Sequence, residues 1–250
     1  MFRDNTALAD VDVGRTTRDL ARKAQETIEA LLLKGHPLLV SWSGGKDSSA
    51  LLNMALVAAS AVRKQRGDCP PVIVTNADTG IENPEIRTHV DREIRRIDAF
   101  AASRGIDVRV YIAKPRDYAH WATQTIGRRA LPTYEDSLQR RCSWDYKVLP
   151  MKRLTGEILG SVAVSLPPIR LMGTRFSESA VRSKKMTDRG ESSSKIRRDS
   201  RDSIDSLSPI ADFSTDDIWV YLAEVRDGVR EGYSDFKETF RVYRDASGET

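Results

Sequence analysis

The run Ser43-Gly-Gly-Lys-Asp-Ser48 sits between the apolar stretch Pro37–Trp42 and a helical pattern that opens with Ser49-Ala-Leu-Leu-Asn-Met-Ala-Leu56. A strand, a tight turn and a helix N-terminus in that order aim free backbone N–H groups and a positive dipole end at one point. Such a point holds an anion, and a phosphate group fits it well. Gly44 and Gly45 let the main chain approach the anion with no Cβ in the way. Lys46 adds a mobile positive charge, while Asp47 and Ser48 are of the types that cap a helix. Neither standard glycine-rich phosphate motif is present: no glycine lies five residues before Lys46, and no G-x-G-x-x-G occurs here. Two further segments carry chemistry after apolar runs: Asp78-Thr-Gly80 follows Pro71–Thr75, and Gly173-Thr-Arg175 follows Ile169–Met172. A plain strand-to-helix turn is the competing reading of the first segment, and a turn or helix cap that of Asp78.

The elements that must position these residues are legible as alternating patterns. Leu20, Ala24, Ile28, Leu31 and Leu32 recur at helical spacing over Thr16–Leu33, with Thr16 and Asp19 as a capping pair. Leu38–Trp42 reads as a strand, followed by a helix to about Arg66, a second strand Pro71–Thr75, and a helix over Pro84–Ser103 that Gly105 stops. Val108–Ile112 is a third strand and Ile169–Gly173 a later one; Asp145–Leu159 reads as a helix with Pro150 in its first turn or breaking it. Strands alternating with helices predict an α/β fold, a parallel twisted sheet with helices on both faces. Ligands of such sheets sit beyond the carboxyl ends of the strands, where Ser43–Ser48 and Asp78-Thr-Gly80 both fall. The expected organisation is an N-terminal helical segment (1–35), the main domain (36–182), a flexible basic loop (183–206) and a smaller helical C-terminal part (207–250). In that last part Thr215–Ala223 reads as a capped helix.

Composition narrows the class. A chain of 250 residues with 40% apolar and 30% charged residues is a globular protein able to bury a full core. Forty basic against 36 acidic residues leave a formal charge of +4, too even a balance to argue for nucleic acid by itself. No run approaches the roughly 20 apolar residues of a membrane span, and Met1-Phe-Arg-Asp-Asn5 has no signal-peptide core. The cytoplasm is the expected location, with no membrane partner. Two cysteines, Cys69 and Cys142, exclude a disulfide scaffold, and His36, His89 and His120 share no zinc-like spacing.

Four segments in this order, Ser43–Ser48, Asp78-Thr-Gly80, Arg141-Cys-Ser-Trp-Asp-Tyr-Lys147 and Gly173-Thr-Arg-Phe-Ser-Glu-Ser179, together resemble the phosphoadenosine-phosphosulfate reductase superfamily. Pro209–Trp219 is a fifth, and the likeness spans roughly residues 35–225. It implies an adenine nucleotide alpha hydrolase-like fold with a pyrophosphate (PP) loop, using ATP and Mg²⁺. Asp78-Thr-Gly-Ile-Glu-Asn-Pro84 and Tyr243-Arg-Asp-Ala-Ser-Gly-Glu249 look most like the DndC/SspD group of DNA phosphorothioation proteins. That resemblance implies an ATP pyrophosphatase acting on the DNA backbone beside a cysteine desulfurase and other phosphorothioation subunits, with a homo-oligomer left open.

On this reading the loop, from Ser41 and Ser43 through Gly44, Gly45, Lys46, Asp47 and Ser48 to Ser49, holds the β,γ-pyrophosphate. Asp78, with Thr79 and Gly80, serves Mg²⁺. Gly173 lets the backbone approach the adenosine, Arg175 reaches the α-phosphate, and Glu178 holds Arg175 or Arg182 by a bidentate pair. Catalysis then rests on Lys46, Asp47 and Arg175. Solvated surface arginines are the competing reading of Arg175 and Arg182. Cys142 would be an iron–sulfur ligand only if further cysteines were supplied, since such clusters take four thiolates; a thiol nucleophile beside Arg140, Arg141 and Lys147, or a structural cysteine, is equally open. Cys69 is expected to be inert and His89 to be solvated. Of the basic runs, Arg182–Arg201 is the DNA-facing candidate. Two alternatives stand beside the pyrophosphatase: a sulfonucleotide reductase, and a non-catalytic ATP-binding subunit of a defence complex.

Overall fold

The computed structural model describes residues 16–127, 143–161, 166–198 and 204–247. Five strands, β1 (Leu38–Ser41), β2 (Val72–Ala77), β3 (Val108–Ala113), β4 (Ile169–Leu171) and β5 (Ser206–Leu207), form one parallel sheet in the order β3-β2-β1-β4-β5. Alternate residues of the central strands serve opposite faces, as the pleat requires. Leu38, Val40, Val72 and Val74 join the large core beneath α1 (Thr17–Leu33) and α2 (Lys46–Arg66). Leu39 and Ile73 pack on the other face, with Ile158 of α5 (Leu149–Ser161). The α/β architecture with helices on both faces is as expected.

Helix α2 is the central helix. Ala50, Leu51, Leu52, Met54, Ala55 and Leu56 have no exposed surface, so packing around its whole circumference holds it rather than one amphipathic stripe. Helix α1 begins at Thr16, whose hydroxyl accepts from the Asp19 N–H, the predicted capping pair. α3 (Pro84–Arg104) joins β2 to β3, and the short α4 (Trp121–Thr125) follows β3. A single π turn, Trp144–Val148, leads into α5 and leaves Pro150 in the first α-helical turn, where its missing N–H costs nothing.

Two segments differ from expectation. Residues 183–188 belong to α6 (Ala180–Asp188), not to a loop: Ser179 caps it by accepting from the Arg182 N–H, and the fully buried Met186 fastens it to the body. Ile196 and its neighbours then return to the sheet through an antiparallel bridge between Arg197 and Ser206. The C-terminal part is α7 (Thr215–Arg226), capped by a reciprocal Ser214–Asp217 box, and α8 (Lys237–Ser247). Asn53, fully buried in α2, ties this part down. Its amide donates to the Tyr221 hydroxyl (2.9 Å) and the Glu231 carbonyl (3.0 Å), and its oxygen accepts from the Tyr233 N–H (3.0 Å).

Replacing Asn53 by Ala strands two buried polar groups, the Tyr221 hydroxyl and the Tyr233 N–H, and one half-buried carbonyl at Glu231. We expect a loss of about 3 kcal/mol in urea denaturation; a loss under about 1 kcal/mol would show that Asn53 is not the tie.

Candidate functional site

The order of strand addition reverses at β1: β2 and β3 add to one side, β4 and β5 to the other. The loops after β1 and β4 therefore part at a topological switch point, where an open parallel sheet forms its ligand crevice. Those loops are Ser43–Ser48 and Gly173–Arg175. They touch closely: a Cβ on Gly173 would lie 3.2 Å from Ser48 Cα and 3.3 Å from its nitrogen. Glycine at 173 is what allows β4 to abut the first turn of α2.

The cradle itself is a helix start without a side-chain cap. Gly45 occupies the cap position and no side chain of the loop bonds the N–H groups of the first turn of α2, so Asp47 and Ser48 do not cap it as expected but lie inside that turn. Gly44 turns the chain at φ +78°, and a Cβ there would lie 2.8 Å from Val90 Cγ2 of α3. From below, the His89 ring nitrogen Nε2 lies 3.3 Å from the Gly44 carbonyl. A carbonyl only accepts, so Nε2 carries the proton. His89 is 3% exposed, which corrects the expected solvated position; the signal was its place between Ile86 and Val90 on the inward face of α3.

The loop serines are used mostly for scaffolding. Ser48 Oγ accepts from the Ser43 N–H (3.1 Å) and donates to the Gly45 carbonyl (3.0 Å). Ser49 has no exposed surface, and its Oγ accepts from the Trp42 indole (3.1 Å). Ser43 is exposed at the mouth, and Ser41 ends β1 below it. Lys46 Nζ lies 3.0 Å from Asp47 Oδ2, and Asp47 Oδ1 lies 2.7 Å from Arg175 Nε. Arg175 is 2% exposed and also donates to Ser177 Oγ (2.7 Å) and the Phe213 carbonyl (3.3 Å). The guanidinium is thus a brace that fixes Asp47, and through it Lys46, rather than a group open to the crevice. Glu178 splits its service: one oxygen accepts from the Arg175 N–H (3.3 Å), the other pairs with the Arg182 guanidinium (2.5 Å). Sequence reading missed Tyr243 of α8, whose hydroxyl accepts from the Lys46 N–H at 3.2 Å.

On the far side of the crevice, Asp78 is 7% exposed. It accepts from the Gly80 N–H (3.0 Å) and pairs with Arg87 (2.6 Å) and Lys114 (3.7 Å). Thr79 donates its N–H to Glu82 (3.3 Å). Between Asp78, Arg87, Val90 and Ser43 lies a cavity of about 30 Å³, room for a water or two rather than an adenine ring. Both Asp78 oxygens are engaged, and no cluster of three His, Cys, Asp or Glu occurs among the described residues. These residues therefore fit a Mg²⁺ carried in by nucleotide phosphates, with Asp78 giving an oxygen only if Arg87 yields it. Cys142 lies outside the described residues. Cys69 precedes β2, so about 20 Å of strand separates it from the crevice. Burial pushes its thiol up to about 11, which disfavours the reactive thiolate at neutral pH.

A profile of the phosphoadenosine phosphosulfate reductase domain matches residues 37–227, about three quarters of the chain and the whole of the sheet. The chain belongs to that family. Among solved structures it is similar to the U34-tRNA thiolase NcsA of Methanococcus maripaludis, described with its [4Fe-4S] cluster. That match has 15% identity and a TM-score of 0.51, covering 92% of this chain and 72% of the thiolase. NAD⁺ synthetase of Burkholderia pseudomallei matches at 13% identity and a TM-score of 0.50, covering 94% and 85%. At such identities the likeness establishes the fold, the PP-loop type of α/β sheet. No curated protein matches the chain significantly. Among the described residues no helix of this family member is long and apolar enough to cross a membrane.

Two measurements test this description. Gly44→Ala should lose about 1–2 kcal/mol of stability from its left-handed φ alone, and more from Val90. In a double-mutant cycle with Val90→Ala the combined loss should fall short of the sum, whereas strict additivity would mean that Val90 does not confine the loop. In a Cys142→Ser background, Cys69 of the native protein should resist alkylation at pH 8 and react fully after unfolding. Rapid native labelling would contradict its burial.

Proposed function

We propose that this chain cleaves ATP between its α- and β-phosphates and directs the α-phosphate to an acceptor. The observation that carries the reading is the uncapped start of α2 at the switch point, with Lys46 in its first turn. The backbone N–H groups of Gly45 and Lys46, now held by Ser43 Oγ (3.4 Å) and the Tyr243 hydroxyl (3.2 Å), stand with the Lys46 ammonium at the positive end of the helix dipole, where an anion can replace both hydroxyls. Charge develops on the departing pyrophosphate, so donors fixed in advance there lower the barrier. An acceptor oxygen forms a bond to the α-phosphorus while the bond from that phosphorus to the bridging oxygen breaks. The electron pair leaves on pyrophosphate. Lys46, oriented by Asp47 and Arg175, neutralises it, and Mg²⁺ accompanying the phosphates supplies further charge neutralisation.

The acceptor we propose is a backbone phosphate of DNA, activated for sulfur incorporation with a cysteine desulfurase and other phosphorothioation subunits as partners. Support comes from the DndC/SspD-like segments and from basic side chains on α6 and the segment after it. Lys184, Lys185, Lys195 and Arg198 are exposed and attract a polyanion. A second reading, reduction of a sulfonucleotide, is favoured by the family match and needs a thiol at the crevice. Cys69 stands at the wrong edge of the sheet for it.

With Mg²⁺, ATP, DNA and partner proteins, the protein should release pyrophosphate and AMP, and Lys46→Ala should lower the rate by roughly 100-fold or more. Equal rates for the two proteins would refute the proposal. Sulfite released from a sulfonucleotide in the presence of thiol, without pyrophosphate from ATP, would establish the second reading instead.

A further inference from the structure

The exposed end of α8 reaches into the cradle. The Tyr243 hydroxyl accepts the Lys46 N–H at 3.2 Å, and a Cβ on Gly45 would lie 3.1 Å from that same oxygen. The Lys46 ammonium stands over the phenol ring, 5.5 Å from its centroid. The ring rests edge-on against Trp219 of α7 (5.2 Å, 81°), which also packs on Phe240 of α8 (5.0 Å). One phenol therefore engages the two features of Lys46 that a phosphate would use, its N–H and its charge.

We propose that Tyr243 occupies the anion cradle until a phosphate displaces it, so that α8 responds to the filling of the loop. An N–H donor with one open approach holds one acceptor oxygen at about 3 Å. A phosphate oxygen on Lys46 N–H must take the volume of the phenol oxygen, and the two cannot coexist. The exchange favours phosphate, because an N–H bond to an ionised oxygen is roughly twice as strong as one to a neutral hydroxyl. The build of α8 suits movement at this end. Its root is held by the fully buried Phe236, and Glu238 pairs with Arg92 (3.3 Å) and Arg241 (2.7 Å). Two turns further on Tyr243 is 36% exposed, so this end of α8 lies at the surface. Departure uncovers Trp219, so filling the cradle changes the surface that α7 and α8 present.

This inference rests on the reading of the loop as a phosphate site, and Tyr243→Phe separates the two. That variant keeps the ring on Trp219 and deletes only the competing oxygen. Calorimetry with inorganic pyrophosphate and with ATP, both with Mg²⁺, should show binding roughly 3–10-fold tighter than to the unaltered protein. Pyrophosphate should also change tryptophan emission in the unaltered protein, and the change should vanish in Trp219→Phe. Equal affinities of the two proteins, or weaker binding by Tyr243→Phe, would overturn the displacement while leaving the phosphate site standing. No binding by either protein would overturn both.

Discussion

The first turn of α2 has N–H groups that no side chain of its own caps, and they are held at the switch point of a parallel sheet. The rest of the site follows from that constraint. An uncapped helix start inside a protein needs an acceptor. Here the acceptor is the Tyr243 hydroxyl, in the place the proposed phosphate would take. Glycine at 44 gives the chain its left-handed turn into the helix, and glycine at 173 lets β4 close against it. The burial of α2 on all sides means that the cradle stands on a helix enclosed by the core.

Charge is organised in two groups facing the crevice. Lys46, Asp47 and Arg175 form a continuous row with one surplus positive charge, and the buried Arg175 anchors it to Ser177 and the Phe213 carbonyl. Opposite, Arg87 and Lys114 neutralise Asp78. Entry of a nucleotide with its cation offers each group a new partner: phosphate for Lys46, and metal or a bridging water for Asp78.

Local features were legible in the sequence and distant ones were not. The apolar runs 38–42 and 71–75, the glycine pair and the Thr16–Asp19 cap are each specified within a few residues, and each stands in the structure where the pattern put it. His89 reads as one polar residue on a charged helix unless its place between Ile86 and Val90 is weighed, and packing against Gly44 shows that it lies inside. Arg175 reads as a cation free to meet phosphate, yet Asp47, Ser177 and Phe213 together enclose it. α6 was hidden because its single anchor, Met186, stands among Ser, Lys and Arg. Tyr243 is 197 residues from Lys46, beyond the reach of any periodicity.

The central claim is that phosphate binds on the N–H groups at the start of α2. Amide ¹H–¹⁵N shifts of the labelled protein, followed while pyrophosphate and Mg²⁺ are added, address it residue by residue. The account predicts that Gly45 and Lys46 move most and saturate together, with His89 ring signals following because its Nε2–H holds the Gly44 carbonyl. Saturable shifts centred on the basic residues of 182–198, with Gly45 and Lys46 unmoved, would contradict it.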